Sequence, residues 1–210
     1  MIKTIRYYAN KVFLKLQTYA FLPLLWRGTR SGIIGLCCFF FLTSFTWRTY
    51  LSYDSPQEIV QANATLFYVR ASNSLYSYDT KDQSVRTFDK VNGLSDCNIT
   101  HIAYNKAAHR LVVAYENQNI DLVNDAGQVA NVSAYYNTST TDNKTINSLY
   151  AYNRYVFMAT AFGIVKLNAA EAEVSDTYKL GFSVDYCYVR DGQLYAASKA
   201  VGIYSAPLTA

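Results

Sequence analysis

Seven carboxylates, Asp79, Asp82, Asp89, Asp96, Glu116, Asp121 and Asp125, fall in one stretch of the chain. Paired carboxylates are the machinery of glycoside hydrolysis, one as acid and the other as base or nucleophile. These seven are instead scattered at expected turns, where an Asp side chain satisfies nearby backbone N–H groups. Asp96, closing the run Asn92-Gly-Leu-Ser-Asp96, is expected to organise the turn between two structural units. His101 and His109 are the only histidines. His101 sits in an apolar run and His109 in a turn, and no His/Cys/Asp/Glu group has zinc spacing. Neither a Gly-x-Ser-x-Gly elbow nor a Walker loop occurs. The sequence assigns no catalytic, cofactor or metal residue, and no hydrolase or transferase activity is expected. Binding residues are not assigned either.

The elements that would position these side chains repeat. Four times an apolar run ends in small residues, turns, and resumes at an aliphatic residue. The copies are Leu66–Ser72 with Leu75–Tyr78, Leu111–Tyr115 with Ile120–Val123, Tyr155–Thr160 with Gly163–Leu167, and Gln193–Ser198 with Gly202–Ser205. The resuming aliphatics Leu75, Ile120, Ile164 and Ile203 are 45, 44 and 39 residues apart. A period of about 40–50 residues built from short strands is the signature of propeller blades. The 20 Tyr and 11 Phe suit half-buried pleated surfaces.

The expected fold is all-β: a partial β-propeller of about 3–4 blades, each a four-stranded antiparallel sheet. In the second unit strands are expected at Ile99–Tyr104, Leu111–Tyr115, Asn119–Val123 and Gln128–Val132. In the third they are expected at Ile146–Tyr152, Tyr155–Thr160, Ile164–Leu167 and Glu173–Tyr178. Leu194–Ala197 and Ile203–Ser205 begin a fourth. Both faces of these strands carry apolar residues, as blades packed between neighbours require. The small residues ending each second strand, Ala71-Ser72, Ala114, Ala159-Thr160 and Ala196-Ala197, are expected near the propeller axis, where larger side chains would overpack. Asn131–Lys144, rich in Ser, Thr and Asn, is expected as an exposed loop. If the arc stops early, Val184, Tyr186, Tyr188, Leu194, Tyr195 and Ile203 should form an uncovered apolar patch, and residues 47–210 alone should be unstable or aggregate.

Charge divides the chain. Residues 1–46 carry Lys3, Arg6, Lys11, Lys15, Arg27 and Arg30 and no acid. The remainder holds 13 basic residues against all 15 acids, a balance of −2. The basic character therefore belongs to the leader, which argues against nucleic acid as a partner. Ile33–Phe45 is an uncharged run of 13 residues, short for a bilayer span. Behind Arg27 and Arg30 it reads as a helical signal peptide, or as an uncleaved signal anchor that would hold the chain at a membrane. Cleavage is expected near Thr46 or Trp47. Ile34-Gly-Leu-Cys37 loosely matches a lipoprotein box, but Leu36 stands where a small residue is needed. The division expected is 1–46 as signal or anchor and 47–210 as an incomplete propeller domain, with Trp47–Pro56 as an entry segment. Export permits a disulfide, and Cys97 and Cys187 are either bridged or free thiols. Asn-x-Ser/Thr triplets at Asn63, Asn98, Asn131, Asn137 and Asn143 are ordinary for an Asn/Thr-rich chain.

Several segments, in order, resemble the PorZ-like family of surface β-propeller proteins of the type IX secretion system. They are Trp47–Tyr53, Leu75–Asp79, Val91–Asp96, Val113–Asn117 with Asn119–Leu122, Lys144–Asn147, Phe162–Val165, and Asp176–Tyr178 with Leu180-Gly181. The resemblance implies a non-catalytic protein of a Gram-negative bacterium, exported to the periplasm or outer-membrane surface. It implies a role in a surface attachment complex whose sortase joins secreted cargo to anionic lipopolysaccharide. Members resemble two propellers followed by a C-terminal domain, so this chain is expected to end inside the first. Sortase or lipopolysaccharide contacts made by later domains do not carry over. A different class also fits the repeat: the extracytoplasmic, carbohydrate-sensing propeller of a hybrid two-component regulator. Such sensors resemble the chain less, because they carry Trp in each second strand where Phe67, Val112, Phe157 and Tyr195 stand here.

Overall fold

A computed structural model describes residues 53–208. The expected signal or anchor helix of residues 1–46 and most of the entry segment lie outside these residues, as does the boundary between the two expected domains. Among the described residues, no helix is long and apolar enough to cross a membrane.

Fifteen strands form four separate antiparallel sheets. Blade A contains β1 (Pro56–Gln61), β2 (Leu66–Ala71), β3 (Ser74–Asp79) and β4 (Val85–Phe88). Blade B contains β5 (Ile99–Asn105), β6 (Arg110–Tyr115), β7 (Ile120–Asn124) and β8 (Val129–Asn131). Blade C contains β9 (Ile146–Tyr152), β10 (Tyr155–Thr160), β11 (Gly163–Asn168) and β12 (Glu173–Lys179). Blade D has three strands, β13 (Tyr186–Arg190), β14 (Gln193–Ser198) and β15 (Gly202–Pro207). Strand order follows chain order in every sheet, so each blade is a meander. The all-β partial propeller read from the repeat is the architecture found.

Alternation explains why blades stack. A strand presents successive side chains to opposite faces. In β6, Leu111, Val113 and Tyr115 enter the core between blades A and B, with Leu75, Phe88 and Ile102. Val112 and Ala114 enter the core between B and C, with Leu122, Val156 and Met158. Phe157, Ala159 and Ile164 then face blade D, meeting Cys187, Val189 and Leu194. Blades B and C are thus apolar on both faces.

The outer face of blade D is different. Tyr186, Tyr188 and Ile203 are exposed, Ile203 by 75%. Val184 and Leu194, expected beside them, are instead buried against blade C. Leu194 sits between Val189 and Ala206 in the sheet, on the face opposite the Tyr188–Tyr195 pair. The uncovered patch is therefore narrower than the sequence implied.

Two further expectations are corrected. The first strands β1, β5, β9 and β13 are the ones that neighbour each other from blade to blade and so line the inside of the arc. The small residues Ala71, Ala114, Ala159 and Ala196 lie on the second strands, one strand further out. They are buried, and Ala114, Ala159 and Ala196 pack in the cores between blades. The polar segment after β8 is also not wholly an exposed loop. It holds a short helix α1 (Ser133–Asn137), with Tyr135 buried. Tyr135 donates its hydroxyl to the Lys144 carbonyl at 2.7 Å. Lys144 Nζ donates to the carbonyls of Tyr136 (2.8 Å), Thr138 (3.1 Å) and Tyr135 (3.2 Å). A cation there satisfies the carbonyls that the end of a helix leaves unpaired.

Turn chemistry fixes the hairpins. Asp191-Gly192 joins β13 to β14 with positive φ at both residues, 50° and 72°, the backbone that a two-residue hairpin loop demands. Gly163 has φ +153°, and a Cβ there would lie 2.0 Å from the Tyr178 carbonyl oxygen. Only glycine lets β11 approach β12 so closely.

Candidate functional site

The polar groups of the arc divide into those that lock blades together and those left facing outward. Asp121 is the centre of the first set. It was expected at a turn, but it lies inside β7 and is fully buried. Its Oδ2 accepts from the Tyr115 hydroxyl at 2.6 Å and from the Ser95 backbone N–H at 2.7 Å. Its Oδ1 accepts from Asn131 Nδ2 at 2.8 Å. Burial, reinforced by the bond to Asp121, pushes the ionisation of Tyr115 far above the ordinary tyrosine range. Three donors on a buried carboxylate are what make its burial tolerable. The effect is mechanical: Ser95 belongs to the A–B connection, so this acid ties that connection to the middle of blade B.

Asp96 does organise the inter-blade turn. It accepts from the Cys97 backbone N–H at 3.0 Å and from Asn117 Nδ2, and Lys90 Nζ lies 3.8 Å away. Those hydrogen bonds hold its carboxyl below the usual range, against an opposing contribution from burial. Asp79, Asp82 and Asp89 each accept a backbone N–H two or three residues on, as turn aspartates do. Asp125 accepts from Tyr104 at 2.7 Å and lies 3.3 Å from His109 Nδ1. Glu116 accepts from Asn98 at 3.0 Å. Each of the seven carboxylates thus has a partner that accounts for it. Among the described residues no three His, Cys, Asp or Glu side chains gather as metal ligands do.

The sequence reading missed a cluster at the inner edge. Glu58 on β1 accepts from Arg70 Nε at 3.2 Å and from the backbone N–H of Ile102 at 3.0 Å. That second bond crosses from blade A to blade B. His101 lies beside it on β5. Burial depresses the His101 ionisation, Glu58 pulls it back up, and Arg70 lowers it further. No motif marks this set, because its members are 43 and 31 residues apart in sequence and meet only when the blades stack.

Cys97 is exposed and Cys187 buried, and both thiols are free. Of the two alternatives, the unbridged one is found. Cys187 points at the Phe157 carbonyl oxygen, 3.6 Å away, and burial pushes its thiol up to about 12.

Residues 67–210 match the family model described as TSS9, PorZ, N-terminal beta-propeller domain. The chain belongs to the PorZ N-terminal β-propeller family. Among solved structures it is similar to PorZ of Porphyromonas gingivalis, described as an essential bacterial surface component of the type-IX secretion system. That likeness has 27% identity and a TM-score of 0.63, and it covers 76% of this chain and 23% of that one. The extracellular domain of BT4673 from B. thetaiotaomicron, described as a one component system, is similar at 16% identity and TM-score 0.60, covering 76% and 22% of the two chains. The computationally designed Ika4 protein matches at 12% identity and TM-score 0.57, covering 77% of this chain and 96% of that one. The last two likenesses concern fold alone. This PorZ-type chain spans about a quarter of the PorZ structure. No curated protein sequence matches it.

Proposed function

We propose that this chain is a non-catalytic binding and assembly module of the type IX secretion surface attachment complex. In that role it assists a sortase in joining secreted cargo to anionic lipopolysaccharide. The observation that carries the reading is the family match over residues 67–210, supported by the likeness to a protein described as a surface component of that system. The geometry is in keeping with it. The carboxylates at Asp96, Asp121 and Glu58 spend their lone pairs on holding blades in register, and a propeller so built presents surfaces rather than a reaction centre. On this reading residues 1–46 direct export, the propeller begins near Trp47 and acts outside the cytoplasm, and contacts with the sortase and lipopolysaccharide involve domains beyond this arc. The carbohydrate-sensor alternative shares the fold only.

Deleting the gene in its host tests the proposal. Cargo should leave the cell surface and collect in the medium, and the intact gene should restore attachment. Normal cargo attachment, with altered transcription of sugar-utilisation genes instead, would favour the sensor. Turnover on a glycan and peptide panel, abolished by Asp96→Asn or Glu116→Gln, would overturn the non-catalytic assignment.

A further inference from the structure

Two charged side chains are buried among the described residues, Asp121 and Lys166. Asp121 holds three donors. Lys166, only 6% exposed, holds no acceptor. Its ammonium lies 4.1 Å from the centroid of the Tyr155 ring and makes no hydrogen bond or ion pair among the described residues. It lines a cavity of about 470 Å³ between blade C and Leu208 at the end of blade D.

The fold does not demand a lysine here. Lys166 stands two residues past the resuming aliphatic Ile164, on the face turned to the next blade. The equivalent residues of blades A, B and D are Ser77, Leu122 and Ser205. The stem of Lys166 is buried and its ammonium opens onto the cavity, with the Tyr155 ring as its neighbour.

Arg154, in the β9–β10 turn, lies over the same ring at 5.1 Å and donates to the Tyr155 hydroxyl at 2.9 Å. It lines the same cavity, with Tyr152, Asn153 and Phe157, and no carboxylate does. Asp176, the cross-strand partner of Lys166, accepts from the Thr177 backbone N–H at 2.8 Å. Glu171 accepts from Asn168 Nδ2 at 2.9 Å. Two cations thus converge on one space that no carboxylate lines, with Asp176 and Glu171 flanking it. The guanidinium and ammonium suit an oxyanion, the Asn153 amide adds a polar group, and the aromatic walls suit the apolar face of a ring. The volume lies within the range of small-ligand sites, about 300–1,000 Å³.

We propose that this cavity is a binding site for a small ring-bearing oxyanion, a carboxylate or a phosphate ester, held by Lys166 and Arg154 against Tyr155. The site is independent of the secretion role, and cargo attachment and anion binding can succeed or fail separately.

Calorimetric titration of the full chain with glucuronate, glucose 1-phosphate, inorganic phosphate and glucose tests it. The ring-bearing anions should bind more tightly than inorganic phosphate, and glucose should not bind. Affinity should fall as salt is raised from roughly 50 to 500 mM. Lys166→Met, which keeps an unbranched stem one atom shorter and removes the charge, should weaken glucuronate binding by about ten-fold or more. Arg154→Gln should weaken it by several-fold. Circular dichroism checks that Lys166→Met stays folded; if it does not, the exposed Arg154 variant decides alone. Binding of glucose as tight as that of glucuronate, no binding by any anion, or unchanged affinity in the folded variants overturns the site.

Discussion

Replacing Asp121 by Asn is the most direct test of the claim that one buried acid pins the connection between blades A and B. The substitution keeps size and shape but exchanges one acceptor oxygen for a donor. In one orientation the amide oxygen still accepts from Tyr115 and Ser95, and its NH₂ then faces the NH₂ of Asn131. In the other it accepts from Asn131, and its NH₂ meets the Ser95 N–H, which cannot turn away. Asn131 Nδ2 has other acceptors, Asn119 Oδ1 at 3.0 Å and the Ile120 carbonyl at 3.2 Å, so the first orientation is preferred. It costs one hydrogen bond and removes the charge from two more. Bonds to charged groups contribute about 1.5–3 kcal/mol and neutral ones about 0.5–1.5. The expected loss is therefore about 3 kcal/mol, a large share of the roughly 5–15 kcal/mol that holds a domain folded. With a urea slope of about 1–3 kcal/mol/M, the midpoint should fall by about 1–3 M. Equilibrium urea unfolding of the full chain, followed by far-ultraviolet circular dichroism and tyrosine fluorescence, measures it. Tyr115→Phe should cost less than Asp121→Asn, and the double variant should be less destabilised than the two effects added, because both residues serve one network. A midpoint within about 0.3 M of the parent, or strict additivity, would refute the reasoning.

Three further outcomes are expected. Gly163→Ala should destabilise the chain by about 1–3 kcal/mol, the usual cost of overpacking, since its methyl would meet the Tyr178 carbonyl oxygen; an unchanged urea midpoint would contradict that contact. Burial holds His101 below its ordinary value of 6.5, so the unfolded chain binds this proton more readily than the folded one. Stability should then be full above about pH 6.5 and fall as pH drops through and below it, and His101→Gln should flatten that acid limb in urea titrations between about pH 5 and 8. At neutral pH iodoacetamide should label the exposed Cys97 and spare Cys187, whose thiol is pushed up to about 12; equal labelling of both in the folded chain, mapped by mass spectrometry, would show that the C–D core opens freely.

Blade number and strand position were legible in the sequence because both are set locally. The strands expected at Ile146–Tyr152 and Tyr155–Thr160 are β9 and β10 residue for residue. Turn residues such as Asp191-Gly192 carry their backbone preference with them, and apolar alternation along β6 declares two buried faces without reference to any other strand. What tertiary structure decided is which distant residues share a space. Asp121 resembles the turn aspartates around it in composition and spacing. It becomes a buried hub only because blade stacking brings Ser95, 26 residues upstream, against it. Lys166 reads as an ordinary strand lysine until the turn bearing Arg154 and the end of blade D enclose it. Tyr135 was assigned to solvent by its polar neighbours, yet it is buried because α1 folds back toward Lys144. The patch on blade D was overestimated because hydrophobicity alone does not say which face a residue takes; the register of β13 and β14 sends Leu194 inward and leaves Tyr188 outside. Local preference is written residue by residue, whereas a site is a coincidence of separate strands in space, and only packing fixes that coincidence.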